Sequence, residues 1–296
     1  MLIKLNEVKS QINLKRAIPP HIFFLSPIFI FLILFLLYPL VWMAGWSFLH
    51  YVPIQITDDR LSLSNYARFL LSPFYLRVLF KTIELSFLVT LITLALGYPV
   101  AYYFAKSSPR IKRIGIFLVI MPIMVGLVVR TYGLMILFEE RGLINQILMV
   151  LGIIQGPIQI LDTPFAATVG LVEMFLPFAV LPLISSLEKI DPSIEEAARV
   201  LGCNSSKLFL KVTLPLSIPG ILSGSLLVFS MAMTAYVTPA LLGGHSMILM
   251  ATLIYQQMMT SFNWPFGTAI AMILIAVTTA LMIFYMKYVR AKGRGM

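Results

Sequence analysis

Glu188 to Pro219 read EKIDPSIEEAARVLGCNSSKLFLKVTLPLSIP, a patterned, mixed-charge stretch set between two long apolar runs. Asp191 followed by Pro192 is a helix start: the carboxylate caps free N–H groups and proline takes the first helical position, with Ser193 to Glu196 as an alternative capping box. A short helix at about 192–201 follows, on which Ile194, Ala197, Ala198 and Leu201 recur at helical spacing to form an apolar face opposite Glu195 and Arg199. Gly202 ends it as the residue just past the C-cap. Asn204 or Ser205 then caps a second short helix carrying Leu208, Phe209 and Val212, and Pro215 is expected to end that one. The stretch therefore folds into a helix-turn-helix elbow. Small alanines on its crest let another protein's backbone come close, which favours a docking surface; an amphipathic pair lying on a membrane surface fits the same pattern.

Outside the elbow the chain is not built for water. Of its 296 residues 59% are hydrophobic and 11% charged, a composition for which the bilayer is the solvent. Six apolar runs, at about 22–48, 80–105, 114–138, 165–187, 217–242 and 268–286, are each long enough to cross a hydrocarbon core of roughly 30 Å. In lipid the backbone must satisfy its own polar groups, so runs this long are helices. The sequence predicts an all-α polytopic membrane protein with six transmembrane helices.

Charge sets the direction. Sixteen of the 22 lysines and arginines lie in the N-terminal tail (Lys4, Lys9, Lys15, Arg16), the second loop (Lys106, Arg110, Lys112, Arg113), the elbow loop (Lys189, Arg199, Lys207, Lys211) and the C-terminal tail (Lys287, Arg290, Lys292, Arg294). Arg60, Arg68, Arg77, Lys81 and Arg141 lie on the opposite side, and Arg130 sits inside a run. The positive-inside rule then places both termini in the cytoplasm. The expected division is a tail at 1–21, a single membrane domain at 22–290 with the elbow loop at 188–216, and a tail at 291–296. Trp42, Trp46 and Trp264 fall at outer ends, as interfacial anchors do. The first run is too long for a signal-peptide core and has no small-residue cleavage site after it, so it is expected to remain as an anchor.

Several chemistries are excluded. No G-x-x-x-x-G-K-[ST] is present, so ATP, if it drives this chain, is bound by another subunit. His21, His50 and His245 are scattered and Cys203 stands alone, so no metal site or internal disulfide is expected. No nucleophile or paired-carboxylate constellation converges, and the chain reads as a transport subunit rather than an enzyme.

Glu196-Ala197-Ala198, Gly202 and Val212-Thr213-Leu214-Pro215, at these spacings, resemble the EAA loop of the permease subunits of ATP-binding-cassette importers. Val212 stands where isoleucine is more usual. The resemblance runs from about residue 22 to 290. Leu96-Gly97-Tyr98-Pro99, Arg130-Thr131-Tyr132-Gly133-Leu134 and Asn263-Trp264-Pro265-Phe266-Gly267 look like its spermidine/putrescine branch, which also includes importers of other small solutes. It implies a type I importer fold, N-in and C-in, with a second permease of similar fold, a cytoplasmic ATPase dimer and a periplasmic solute-binding protein as partners. No cofactor belongs to the chain itself. It further implies that Glu196, Ala197, Ala198 and Gly202 contact the ATPase, with Leu214 and Pro215 closing the elbow. The expected cargo is a polyamine, with an amino-acid-like solute, an opine or a phosphonate as alternatives. An ion-coupled secondary transporter is the rival from another class, with Glu173 as its coupling carboxylate.

Arg130 and Glu173 each lie eight residues from an expected outer end, about 12 Å deep at helical rise. Ionisable groups at such depth face protein or water and have partners. Either the two pair, joining the third and fourth runs, or one or both face the solute. A polyammonium would need a carboxylate with aromatic walls, for which Glu173, Tyr132 and Tyr236 are candidates; an anion would need Arg130. Packing is the competing role for the tyrosines. Gly220-x-x-x-Gly224 allows a close helix contact, either with the partner permease or within the chain.

Overall fold

The computed structural model describes residues 20–51 and 58–293. Lys4, Lys9, Lys15, Arg16 and Arg294, on which part of the orientation argument rests, lie outside the described residues. α1 runs through Pro20–Leu32, a π turn at Ile33–Leu37 and Tyr38–Ser47. Its side chains from Pro27 to Trp42 are exposed wherever they are described, and only its end docks, with Trp46 edge-on to Trp264 at 6.4 Å. A small hairpin, β1 (Leu49–His50) with β2 (Asp58–Leu61), and α2 (Ser64–Leu71) follow. The long helices are α3 (Pro73–Lys106), α7 (Pro164–Leu187) and α13 (Trp264–Gly293). Among the described residues four helices, with α1, are long and apolar enough to cross a membrane, or up to six if each of two bent pairs counts as one crossing.

Two of the expected runs are broken. The run at 114–138 is not one helix: α4 (Pro109–Met124) stops, Val125 and Gly126 are extended, and the axis turns by 93° into α5 (Leu127–Phe138) and α6 (Leu143–Val150). Pro122 lacks a donor for the last turn of α4, and Gly126 has open space around it, so the chain leaves the helix there. The run at 217–242 also divides, α10 (Ile218–Met233) ending before Thr234 and α11 (Val237–Leu242) restarting after Tyr236. Pro239 would cost a backbone hydrogen bond in a helix interior but is tolerated in a first turn, and the restarted helix puts it there. The remaining ends also shift: α3 begins at Pro73 rather than 80, and α13 at Trp264 rather than 268, where Asn263 Oδ1 accepts the Phe266 N–H at 3.1 Å.

The core lies where α3, α7 and α10 meet, around Leu85, Val89, Leu171, Phe175, Ala179 and Val228. In lipid, apolar side chains gain little by burial against one another, so small residues and hydroxyls bring such helices together. Gly220 and Gly224 do this inside the chain: a Cβ at Gly220 would meet Ser186 Cβ at 2.5 Å, one at Gly224 would meet the Ala179 carbonyl at 3.3 Å, and Ser186 Oγ accepts the Gly220 N–H. Along α3, Thr82, Ser86 and Thr90 are buried and each returns its hydroxyl to the carbonyl four residues back.

Candidate functional site

The elbow forms from its own signals. Asp191 Oδ1 accepts the Ser193 N–H at 2.9 Å and starts α8 (Pro192–Val200); this bond to the ionised form holds the Asp191 carboxyl below its ordinary range. Gly202, at φ +83°, ends the helix. Gly202 N–H donates to Arg199 O and Cys203 N–H to Ala198 O, the paired bonds of a Schellman stop. Asn204 Oδ1 then accepts the Lys207 N–H at 2.9 Å and caps α9 (Ser205–Leu208). One expectation fails. Pro215 does not end the second limb, which continues through a π turn at Phe209–Thr213 and a helical turn at Leu214–Leu216, and bends by 62° only into α10. The wider π turn loosens the ladder just ahead of the proline, so its ring is accommodated.

The crest points outward. Val200 and Leu201 are 88% and 85% exposed, Glu196, Ala197 and Gly202 are exposed, and Ala198 is partly covered. Glu195, on the opposite side, is only 12% exposed and takes a 2.7 Å ion pair from Lys106 at the end of α3. Thr213 Oγ1 donates to its other oxygen at 3.3 Å. Lys112 of α4 pairs with Glu188. The outward face presents Ala197, Val200 and Leu201 between the charges of Glu196 and Arg199, while Glu195 ties the elbow to the rest of the fold.

The second constellation gathers at the two helix breaks. Arg130 lies in the first turn of α5, where the helix dipole disfavours a cation. Its guanidinium turns back to the end of α4, donating from Nη1 to Pro122 O at 3.1 Å, and its Nε lies 3.4 Å from Glu173 Oε2. The Arg130 side chain is thus mostly covered, at 14% exposure, while Glu173 keeps 36% of its side chain open. Beside them is a cleft of about 330 Å³ lined by Leu127, Met174, Met231, Thr234, Tyr236 and Thr238, among others. Thr238 Oγ1 is 3.5 Å from Thr131 Oγ1 and donates toward the Met174 sulfur at 3.8 Å, so α5, α7 and α11 share one polar contact. Tyr236 stacks on Tyr255 at 4.7 Å between centroids.

Of the four residues expected on the pathway, Arg130 and Glu173 come together outside the lining of the cleft, and Tyr236 lines it. Tyr132 does not line it: two positions from Arg130 on a helix, it points to the opposite side, half exposed. Tyr255, Lys106 and Glu195 were missed. Nothing in the local pattern marks Tyr255, which reaches Tyr236 only because the chain folds back between Val237 and Thr260. The two residues of the ion pair lie in different loops.

A family model described as the binding-protein-dependent transport system inner membrane component matches residues 93–292. The spermidine/putrescine transport system permease protein PotB of Salmonella typhimurium (strain SL1344) is 38% identical over 254 residues, 86% of this chain and 88% of that protein. Its namesake from Escherichia coli (strain K12) is 37% identical, over 86% of this chain and 92% of its own length. Among solved structures, a chain of the bacterial alginate ABC transporter in complex with alginate pentasaccharide-bound periplasmic protein superposes with a TM-score of 0.76 over 97% of both chains at 17% identity, which shows a common fold.

Proposed function

Since the chain belongs to the family of binding-protein-dependent transport system inner membrane components, we propose that it is the permease subunit of an ATP-binding-cassette importer that brings a polyamine of the spermidine/putrescine type into the cytoplasm. Its partners in this reading are a second permease of similar fold, a cytoplasmic ATPase dimer and a periplasmic solute-binding protein. The chain crosses the membrane six times with both termini inside, α4 with α5 counting as one crossing and α10 with α11 as another.

One observation carries the reading: a capped helix held out from the fold with its crest exposed while its polar face is anchored. An apolar, small-residue crest flanked by Glu196 and Arg199 suits the groove of a soluble partner. Glu196, Ala197, Ala198 and Gly202 form the contact, and Leu214 and Pro215 carry its movement into α10. Closure of the ATPase moves the elbow as a rigid body and opens the pathway in alternation.

The cargo follows from the relatives named for spermidine and putrescine and is consistent with the cleft. The C-terminal end of α10, at Met231, Thr234 and Ala235, brings its partial negative charge to the cleft, whereas the start of α5 at Leu127 brings the opposite sign. Tyr236, stacked on Tyr255, gives this mixed field an aromatic ring, which together with the nearby Glu173 carboxylate, outside the lining, favours an ammonium group. An anionic cargo is disfavoured because Arg130 is already committed to Pro122 O and Glu173.

The test is uptake of labelled spermidine and putrescine in proteoliposomes containing the chain with its ATPase, second permease and binding protein. ATP-dependent accumulation is expected. Uptake by the chain alone under an ion gradient would overturn the importer reading in favour of a secondary transporter.

A further inference from the structure

We infer that α4 is a rod joining the elbow to the central cleft, and that Lys106 and Lys112 are positioning residues that make the elbow and the α3–α4 hairpin move as one body. This rests on the importer reading and goes beyond it, because the elbow is covalently continuous only with α7 and α10.

At the elbow end two ion pairs cross to the hairpin, Lys106 to Glu195 and Lys112 to Glu188. Lys112 lies in the first turn of α4, where a cation is unfavourable unless an anion answers it, and Glu188 does so. Glu195 faces away from the exposed crest, so its pair does not compete with a docked partner. The hairpin itself is tight: a Cβ at Gly115 of α4 would overlap the Phe104 ring of α3. At the far end of α4 the Pro122 carbonyl is held by Arg130, whose guanidinium also meets Glu173. A helix of 16 residues spans about 24 Å, and a rigid element of that length carries a displacement from one end to the other. Partly exposed ion pairs add little to stability. Placed at both limbs of one hairpin, they fix register between two moving parts.

The test uses the whole transporter, isolated with its ATPase, second permease and binding protein, and reconstituted in liposomes. ATP hydrolysed and polyamine taken up are measured together for Lys106→Glu, Lys112→Glu, the neutral Lys106→Gln, and the swaps Lys106→Glu with Glu195→Lys and Lys112→Glu with Glu188→Lys. The single reversals are expected to retain the ATPase on purification and to hydrolyse ATP, but to move about fivefold less cargo per ATP, with Lys106→Gln intermediate; the swaps should recover to within about twofold, as coupled pairs do. Single reversals with a wild-type ratio of uptake to hydrolysis would overturn the inference while leaving the importer reading intact, as would swaps as impaired as the singles. A wild-type complex without ATP-driven uptake would overturn both.

Discussion

At the elbow, Asp191, Gly202 and Asn204 each act within a few residues of their own position, and the helices they bound are almost those expected from the sequence. At the central cleft, the interruption after Met124 meets the one after Met233, and although the Val125 and Thr234 N–H groups close the two last turns, side chains from beyond each helix also meet there. The Pro122 carbonyl, which accepts the Val125 N–H, takes a second bond from Arg130; Arg130 meets Glu173 of another helix, and Thr131, bonded to Leu127 O, lies beside Thr238 of a third. Local caps give a part that keeps its shape while it moves. Contacts between separate helices give a part whose geometry changes when those helices shift. A transporter needs both, a stiff handle and a deformable centre.

Inverting charge on the handle's outer face should have the largest effect. Glu196→Lys is expected to cut ATP-driven uptake at least about 30-fold, the low end of the cost of an uncompensated charge in an interface, with the chain still inserted and the ATPase lost on purification. Full ATP-driven uptake by this variant would remove the docking assignment. At the centre, Arg130→Ala removes one of the two donors to the Pro122 carbonyl, which keeps the Val125 N–H, and takes the cation away from the buried Glu173 Oε2. It should lower the thermal stability of the detergent-solubilised chain by about 1–3 kcal/mol, toward the lower figure because Glu173 is partly screened by solvent. Arg130→Ala with Glu173→Ala should recover part of that loss; a strictly additive pair would mean that the two do not interact.

Smaller effects sharpen the contrast. Tyr236→Ala should raise the apparent KM for a polyamine about two- to fivefold, the range of a cation–π contact at a partly exposed site, whereas Tyr236→Phe should stay near wild type. Equal losses in both would assign Tyr236 to packing through its hydroxyl. The smallest change is expected at Asp191. Its carboxyl is held below its ordinary value by the Ser193 N–H, so its stabilising bond is complete at neutral pH and is lost only as pH falls through that depressed value. Asp191→Asn, which still caps, should transport as wild type, and the elbow should show no pH dependence from this residue between about pH 5 and 8.

The elbow was legible because capping is written in adjacent residues; its one error, at Pro215, came from a π turn that relieves the proline and leaves no mark in composition. The pairing of Arg130 with Glu173 was one of two readings open from burial depth alone. Pro122 and Pro239 lie inside two of the expected runs and allow a kink in each, but nothing in the sequence says that the helices stop outright. A helix stops in a membrane only where its freed carbonyls find partners, and Pro122 O, besides the Val125 N–H of its own cap, takes a second donor from Arg130 beyond the break. Tyr132 and Tyr236 looked equivalent in sequence, and only the turn of α5 and the fold-back after α11 separate them.

Composition and apolar length by themselves determined that this chain belongs in a bilayer as helices, because no other backbone arrangement of such runs satisfies its polar groups there. Short-range capping determined the elbow for the same kind of reason, donor and acceptor being neighbours in the chain. Where the helices break, which side chains meet at the breaks, and that Glu195 anchors the elbow while its neighbour Glu196 is left free were decided only by tertiary structure. Those outcomes depend on which distant carbonyl, carboxylate or ring comes within reach, and reach is a property of the packed helices.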